Sequence, residues 1–264
     1  MTIALILSGG TGTRLGADIP KQYIEVNGRT ILSYCLETLF LHPEIDGVQI
    51  VAEPSWQQVI LKDLKALEQL KIKDLKQLAQ ADRQQGTDSM GENNKIVQKF
   101  RGFSAPGATR QLSILNGLTD ILKYDSSEDV VMIHDAARPC LSMEMISQGI
   151  AAVEGHDGVL PVLPMKDTVY LSEDGKAVSS LLNRSQVFAG QAPEFFVLGK
   201  YYEANQALLP EKILSINGST EPAILAGLNV AMIPGDEGNF KITTKADLER
   251  FQQIVHELTK VEEL

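Results

Sequence analysis

Cysteine is scarce in this chain: Cys35 and Cys140 are the only two. Two cannot build a disulfide framework, so a reducing, cytoplasmic setting is the natural expectation. Positive charge is also in deficit. The 24 Lys and Arg residues face 34 Asp and Glu, for a net charge of −10. A general nucleic-acid binder or a membrane-surface binder would want a basic face, and this balance argues against both. Long apolar runs are absent too. The first, residues 3–7, stops at Ser8-Gly9-Gly10, whereas a membrane span needs about 20 apolar residues. Two familiar phosphate loops are missing. Gly10 and Gly12 are followed by Leu15 rather than a third glycine, which breaks the dinucleotide fingerprint, and no Gly-Lys-Ser/Thr occurs. A nicotinamide-dependent oxidoreductase is therefore disfavoured.

What remains is an ordinary composition, 44% apolar and 22% charged over 264 residues, ample for a core without staples. Short apolar runs at 3–7, 48–52, 130–133 and 158–163 have the length and the Val/Ile/Leu content of strands buried on both faces. Between them, Ile31, Tyr34, Cys35 and Thr38 recur at helical spacing, as do Leu61, Leu64, Leu67 and Leu70, then Leu112, Leu115, Leu118 and Leu122. Met145, Ile146, Gly149 and Ala152 form a weaker stripe. A last helix is announced by Thr244-Lys-Ala-Asp247, with a capping-box pattern. This alternation predicts a doubly wound α/β fold with a mostly parallel sheet, in a single domain over residues 1–264. Residues 80–95 are polar and read as an exposed connection. Residues 164–192 are less helical. The turn Ser172-Glu-Asp-Gly175 between two short runs predicts a hairpin, an arm projecting from the main sheet.

Four places could carry chemistry. The glycine-dense turn at residues 8–16 (SGGTGTRLG) follows the first strand, where α/β sheets usually bind ligands, and its backbone N–H groups suit an anion. Arg14 and Lys21 add two cations. A plain tight turn would not need so many glycines beside them. His134-Asp135-Ala-Ala-Arg138-Pro139 follows the strand at 130–133. Asp135 there suits either a Mg²⁺ ion, which takes one or two carboxylates plus phosphate oxygens, or the cap of the next helix. His134 reads as a packed, hydrogen-bonded residue and Cys140 as a small buried one. Gly107-Ala-Thr-Arg110-Gln-Leu-Ser113 opens a helix, where Thr109 either caps it or helps to present N–H groups to a base or phosphate. Residues 235–244 (GDEGNFKITT) read as a strand ending in a capped helix, with Lys241 facing solvent or a site. The lysines of 62–76 read as a solvated face.

These motifs, with Pro20-Lys21-Gln22, Asp167-Thr168, Arg184, Gln191-Ala-Pro193 and Asn239-Phe-Lys241, fall in order along nearly the whole chain. In that combination the sequence resembles the cytidylyltransferases that act on 2-C-methyl-D-erythritol 4-phosphate and on D-ribitol 5-phosphate. The resemblance implies a nucleotidyltransferase sheet whose β-arm, residues 164–192, clasps a second copy in a homodimer. It implies transfer of CMP from CTP to a polyol phosphate with release of pyrophosphate. Arg14, Lys21 and Lys241 would hold the reacting phosphates. Ser8, Gly9, Gly10, Thr11 and Gly12 would lie along the nucleotide, and Gly107 and Ser113 would contact the cytidine. Asp135 would position Mg²⁺ and the acceptor. Arg138 and Thr168 would lie near the acceptor, with Arg184 reaching across from the partner. The chain departs from the family pattern at Ala108, at Ala192 within Gln191-Ala-Pro-Glu194, and at Thr220-Glu221, where the family has Thr-Asp. A non-catalytic nucleotide-binding regulatory module is the rival reading, against which Arg14, Lys21, Asp135 and Lys241 argue together.

Overall fold

The computed structural model describes residues 1–10, 19–81 and 98–262, apart from the side chains of 70–81, 261 and 262. The first apolar run forms strand β1 (Thr2–Leu7). A 3₁₀ turn at Lys21–Tyr23 then leads into a two-stranded ribbon, β2 (Glu25–Val26) and β3 (Arg29–Thr30). Helix α1 (Ile31–Leu41) starts where Thr30 accepts from the Ser33 N–H, an N-cap that satisfies an orphan donor. Strand β4 (Gly47–Val51) precedes α2 (Pro54–Ala81), opened by a proline, which is pre-organised for a first helical position. Next come β5 (Phe100–Ser104), α3 (Arg110–Ile121), β6 (Val130–Asp135), α4 (Met143–Ala152) and β7 (Gly158–Pro164). A small antiparallel hairpin, β8 (Tyr170–Leu171) and β9 (Ser180–Leu181), interrupts the rhythm. The chain returns through β10 (Phe188–Gly190), β11 (Glu194–Val197), α5 (Leu198–Gln206), α6 (Glu221–Leu225), β12 (Val230–Pro234) and α7 (Lys245–Glu262).

β1 lies between β4 and β6 and is parallel to both, and β5 runs parallel to β4. β11 inserts antiparallel between β6 and β7, and β12 pairs parallel with β7. The sheet is mostly parallel and covered on both faces, as its continuous apolar strands require. β1 itself shows why. Ala4 and Ile6 pack with Leu32, Leu36 and Leu39 of α1 and with Ile60 of α2. Ile3 and Leu5 point the other way, to Ile114, Leu118 and Ile121 of α3 and Tyr201 of α5. All four strand residues are completely buried, each contributing roughly 1.5–3 kcal/mol where the side chain is large.

The register decides where ligands can go. Leu7 stands opposite both Val51 and Asp135, and Val51 opposite Ser104. The loops that follow β1, β4, β5 and β6 therefore open side by side at one edge. A smaller cluster of Val26, Ile31, Ile242, Phe251 and Val255 docks α7 against the ribbon and α1, bringing residues 240–243 to the same edge.

Some readings change. Residues 235–244 hold no strand: β12 ends before them, and Asp236 organises a turn by accepting from the N–H groups of Gly238 and Asn239. Asp135 caps no helix, because Ser142 caps α4. Cys140 is half-buried rather than buried. Residues 82–95 of the expected connection, and the lysines of 62–76 beyond residue 69, lie outside what the structure describes. Among the described residues no helix is long and apolar enough to cross a membrane.

Candidate active site

A cleft of about 500 Å³ opens at this edge, lined by the β1 turn, Lys21, Gln22, Glu53, the residues from Gly107 to Arg110, Ser113, Asp135, Ala137, Lys241 and Thr243. Two glycines make its walls thin. A Cβ on Gly9 would sit 2.7 Å from Pro106 Cβ, and one on Gly107 would sit 2.9 Å from the Ser113 nitrogen. With no side chains there, the turn after β1 packs closely on Pro106 and the loop after β5 on the start of α3. Gly107 donates to Ser113 Oγ at 2.9 Å, and Ser113 Oγ donates to the Thr109 carbonyl at 2.9 Å. Thr109 also caps α3, accepting from Leu112 N–H at 3.2 Å. Thr109 is thus a cap, and it lines the cleft together with Gly107, Ala108, Arg110 and Ser113.

The Pro-Lys-Gln segment fastens the glycine turn. Gln22 Nε2 donates to the carbonyls of Ser8 and Gly10, each at 2.8 Å. Ser8 Oγ donates to Tyr23 Oη at 2.8 Å, and the Tyr23 ring stacks on Trp56 with centroids 4.4 Å apart. Ser8 is buried and faces this anchor rather than the cleft. Lys21 lines the cleft and donates from Nζ to the Ile242 carbonyl at 2.6 Å.

Charge concentrates on Asp135. Its Oδ1 accepts from Arg110 at 3.1 and 3.3 Å. Its Oδ2 lies 2.9 Å from Lys241 Nζ and 3.6 Å from Arg138 Nε. Burial would push this carboxyl up, but Arg110, Lys241 and Arg138 outweigh burial and hold it far below the usual carboxylate range. Glu194 lies buried behind Arg110, accepting from Ser219 Oγ. Burial pushes the Glu194 carboxyl up despite Arg110. Three cations thus meet two carboxylates in this cluster, with Lys21 close by, and positive charge is left over. His134 is fully buried, and burial pushes it down to about 4. Its Nε2 donates to the Arg138 carbonyl at 3.1 Å, so it is a packing residue.

The other motifs converge from behind. Gln191 exchanges two hydrogen bonds with the Asp236 backbone, both 2.9 Å. Asn239 Nδ2 donates to the Ala192 carbonyl at 2.8 Å, and Arg138 Nη1 donates to the Asn239 carbonyl at 2.7 Å. Ile242 N–H reaches the Ala137 carbonyl at 2.9 Å. These bonds staple the loop that carries Lys241.

The structure thus brings Gly9, Gly10, Lys21, Gly107, Ser113, Asp135 and Lys241 into one cleft. Arg138 stands behind it. Thr168 and Arg184 do not line it: both are exposed on the hairpin segment, where Arg184 donates to the Lys166 carbonyl at 2.7 Å. Thr11, Gly12 and Arg14 lie outside the described residues. Arg110, Gln22, Glu53 and Thr243 were not assigned site roles from sequence. The signal at Arg110 is a cation in the first turn of a helix beside Thr109, a place where the dipole disfavours it.

A family model, IspD: 2-C-methyl-D-erythritol 4-phosphate cytidylyltransferase, matches residues 2–73 and 57–257. The chain belongs to this family. A 2-C-methyl-D-erythritol 4-phosphate cytidylyltransferase of Rubrobacter xylanophilus is 32% identical over 250 residues, 93% of this chain and 91% of the relative. A bifunctional enzyme IspD/IspF of Paramagnetospirillum magneticum is 33% identical over 249 residues, 94% of this chain. The chain spans about half the length of such bifunctional relatives, 55% in that case. The fold is shared with 4-diphosphocytidyl-2C-methyl-D-erythritol synthase from Anaerococcus prevotii at a TM-score of 0.73 and 24% identity, covering 97% of this chain and 96% of that one. The IspD of Francisella tularensis aligns at a TM-score of 0.69 and 22% identity, covering 95% and 99%.

Proposed function

We propose that this IspD-family chain is a CTP-dependent cytidylyltransferase that transfers CMP to 2-C-methyl-D-erythritol 4-phosphate and releases pyrophosphate. The observation that carries this reading is the convergence of Arg110 and Lys241 on Asp135, with Lys21 lining the same cleft beside the glycine turn. The names of the full-length relatives favour the methylerythritol acceptor over D-ribitol 5-phosphate.

The chemistry needs no side-chain nucleophile. A phosphate monoester has a second pKa near ~6, so the acceptor is already an anion at neutral pH. One of its oxygens attacks the α-phosphorus of CTP, the bond from that phosphorus to the β-bridging oxygen breaks, and pyrophosphate leaves with the electron pair. The barrier lies in gathering two polyanions and stabilising the leaving charge, which is a task for fixed cations. The chain's net charge of −10 opposes approach only weakly, because charges beyond the ~8 Å Debye length are screened. Lys21, Lys241 and Arg14 take the phosphates, and Arg110 holds Asp135 in place. Arg138 serves the acceptor side through the Asn239 carbonyl, which sets the Lys241 loop.

For Mg²⁺, both Asp135 oxygens already face cations, and no group of three metal-ligating side chains occurs among the described residues. The cleft would offer such an ion one carboxylate, Asp135, which would have to give up part of its contact with Lys241 or Arg110, and triphosphate oxygens would supply most of its ligands. When bound, it would neutralise charge on the departing pyrophosphate. Residues 164–192 serve as the arm of a homodimer, with Thr168 and Arg184 completing the acceptor site of the second copy. Supporting this are the exposed apolar side chains Tyr170, Leu171, Val178, Leu181 and Phe188 on that segment.

Pyrophosphate release from CTP, measured with 2-C-methyl-D-erythritol 4-phosphate and D-ribitol 5-phosphate, tests the reading. Lys21→Ala and Lys241→Ala should each lower kcat by ~10²–10³, about 3–4 kcal/mol of transition-state stabilisation. Near-wild-type turnover in both variants removes the mechanism.

A further inference from the structure

The cleft has two chemically different sides. Lys21, Arg110 and Lys241 gather around Asp135 and Ile242, where β6 ends. β4 lies on the other side of β1 from β6, two strand spacings or about 10 Å away. There, just past the end of β4, stands Glu53. It lines the cleft, is exposed, and makes no hydrogen bond or ion pair with any described residue. Its main chain, by contrast, is fixed. The Ala52 N–H donates to the Ser104 carbonyl at 3.1 Å, and the Trp56 N–H to the Glu53 carbonyl at 2.9 Å. Pro54 follows, which restricts Glu53 to extended backbone, and Trp56 is held by its stack on Tyr23.

A carboxylate on the rim of a polyanion site, with no partner among the described residues, is a liability unless it meets a donor on the ligand. Of a nucleoside triphosphate, only the base and the sugar offer donors. The neighbours on this side are Gly9, Gly10, Gly107 and Ala108, which contribute backbone and one methyl. Ser113 Oγ is already committed to Gly107 and Thr109. Among the described residues that line this side, Glu53 is thus the carboxylate that a base lying beside the glycine turn would meet. Cytosine presents an exocyclic amine, a donor, where uracil presents a carbonyl oxygen that a carboxylate repels.

We propose that Glu53 is a specificity-determining residue that accepts from the exocyclic amine of cytosine and sets the preference for CTP over UTP. This rests on the cytidylyltransferase reading and adds the group that enforces it. The bland role for Glu53 is an acid at the start of α2, favoured by the helix dipole. That role would shift stability but would scale both nucleotides alike.

Calorimetric binding of CTP and UTP, alongside pyrophosphate release, separates these. In the wild type CTP should bind at least tenfold more tightly than UTP, as a charge-assisted hydrogen bond permits. Glu53→Ala should reduce that ratio about tenfold. Glu53→Gln, whose amide can donate to uracil, should raise UTP binding above that of Glu53→Ala. Equal or absent nucleotide binding in the wild type, or a CTP/UTP ratio unchanged in both variants, overturns the proposal. Selective CTP binding that depends on Glu53 but leads to no pyrophosphate release would sink the transfer reaction and leave the role of Glu53 standing.

Discussion

The cleft and the hairpin at β8–β9 both carry charged and polar residues that the sequence marks as functional, yet the fold treats them in opposite ways. Asp135 is 7% exposed and shares its two oxygens among Arg110, Lys241 and Arg138. Each of those groups comes from a different loop or helix, so their positions are set by the whole sheet edge. The hairpin looks after itself. Asp174 accepts from the N–H groups of Lys176 and Ala177 at 2.8 and 2.9 Å, and Arg184 bonds to nearby Lys166. Thr168 and Arg184 stay exposed. A buried charge must find its partners within its own chain, since leaving it unpaired costs several kcal/mol. An exposed one costs nothing to leave unused and can wait for a second molecule.

The sharpest way to break this contrast is Asp135→Ala. Removing the shared anion leaves Arg110, Arg138 and Lys241 crowded without compensation, and about 3–5 kcal/mol of stability should go, read by chemical denaturation. A loss below 1 kcal/mol would mean that the cluster is no more interlocked than the hairpin. A middle case lies at the start of α7, where Asp247 Oδ2 accepts from Thr243 and Thr244 and Thr244 Oγ1 accepts from the Asp247 N–H. Partial burial pushes this carboxyl up, but the hydrogen bonds from Thr243 and Thr244 bring it down to about 2. Its folded pKa lies below the ordinary ~3.9. The contribution is therefore complete above pH ~4 and disappears as pH falls through about 2. Asp247→Ala should cost about 1 kcal/mol at pH 7, and the gap from wild type should close in acid. Because Thr243 lines the cleft, a pH-independent gap would argue that packing, not the cap, holds this corner. The smallest effect on stability belongs to Arg184→Ala, under about 0.5 kcal/mol. Its kinetic effect should fall on the KM of the acceptor rather than of CTP, and the reverse ranking would remove the hairpin from the acceptor site.

Much of the fold was legible in the chain. Continuous apolar strands needed helices on both faces, and Ile3, Leu5 and Ala4, Ile6 do divide between two helical layers. Thr109 and the Thr244/Asp247 pair announced their helices through local chemistry that needs no tertiary context. Where the reading went astray, long-range contacts decided. Residues 235–244 read as a strand leading into the last helix, but Gln191 and Arg138 capture their backbone from distant loops. Arg110 stands at a helix start, where a cation gains nothing from the dipole, but its role shows only through its partner Asp135, 25 residues away. Glu53 resembled any acid at a helix start until the register set β4 beside the glycine turn.

The linear order of residues was enough to read the layer architecture and the helix caps, because period and capping act over a few neighbours. The assembly of Asp135 with its cations, and the separation of Glu53 from them, came only with the tertiary structure. Strand register and loop packing are collective outcomes of burying one sheet on two faces, and no short window of sequence contains them.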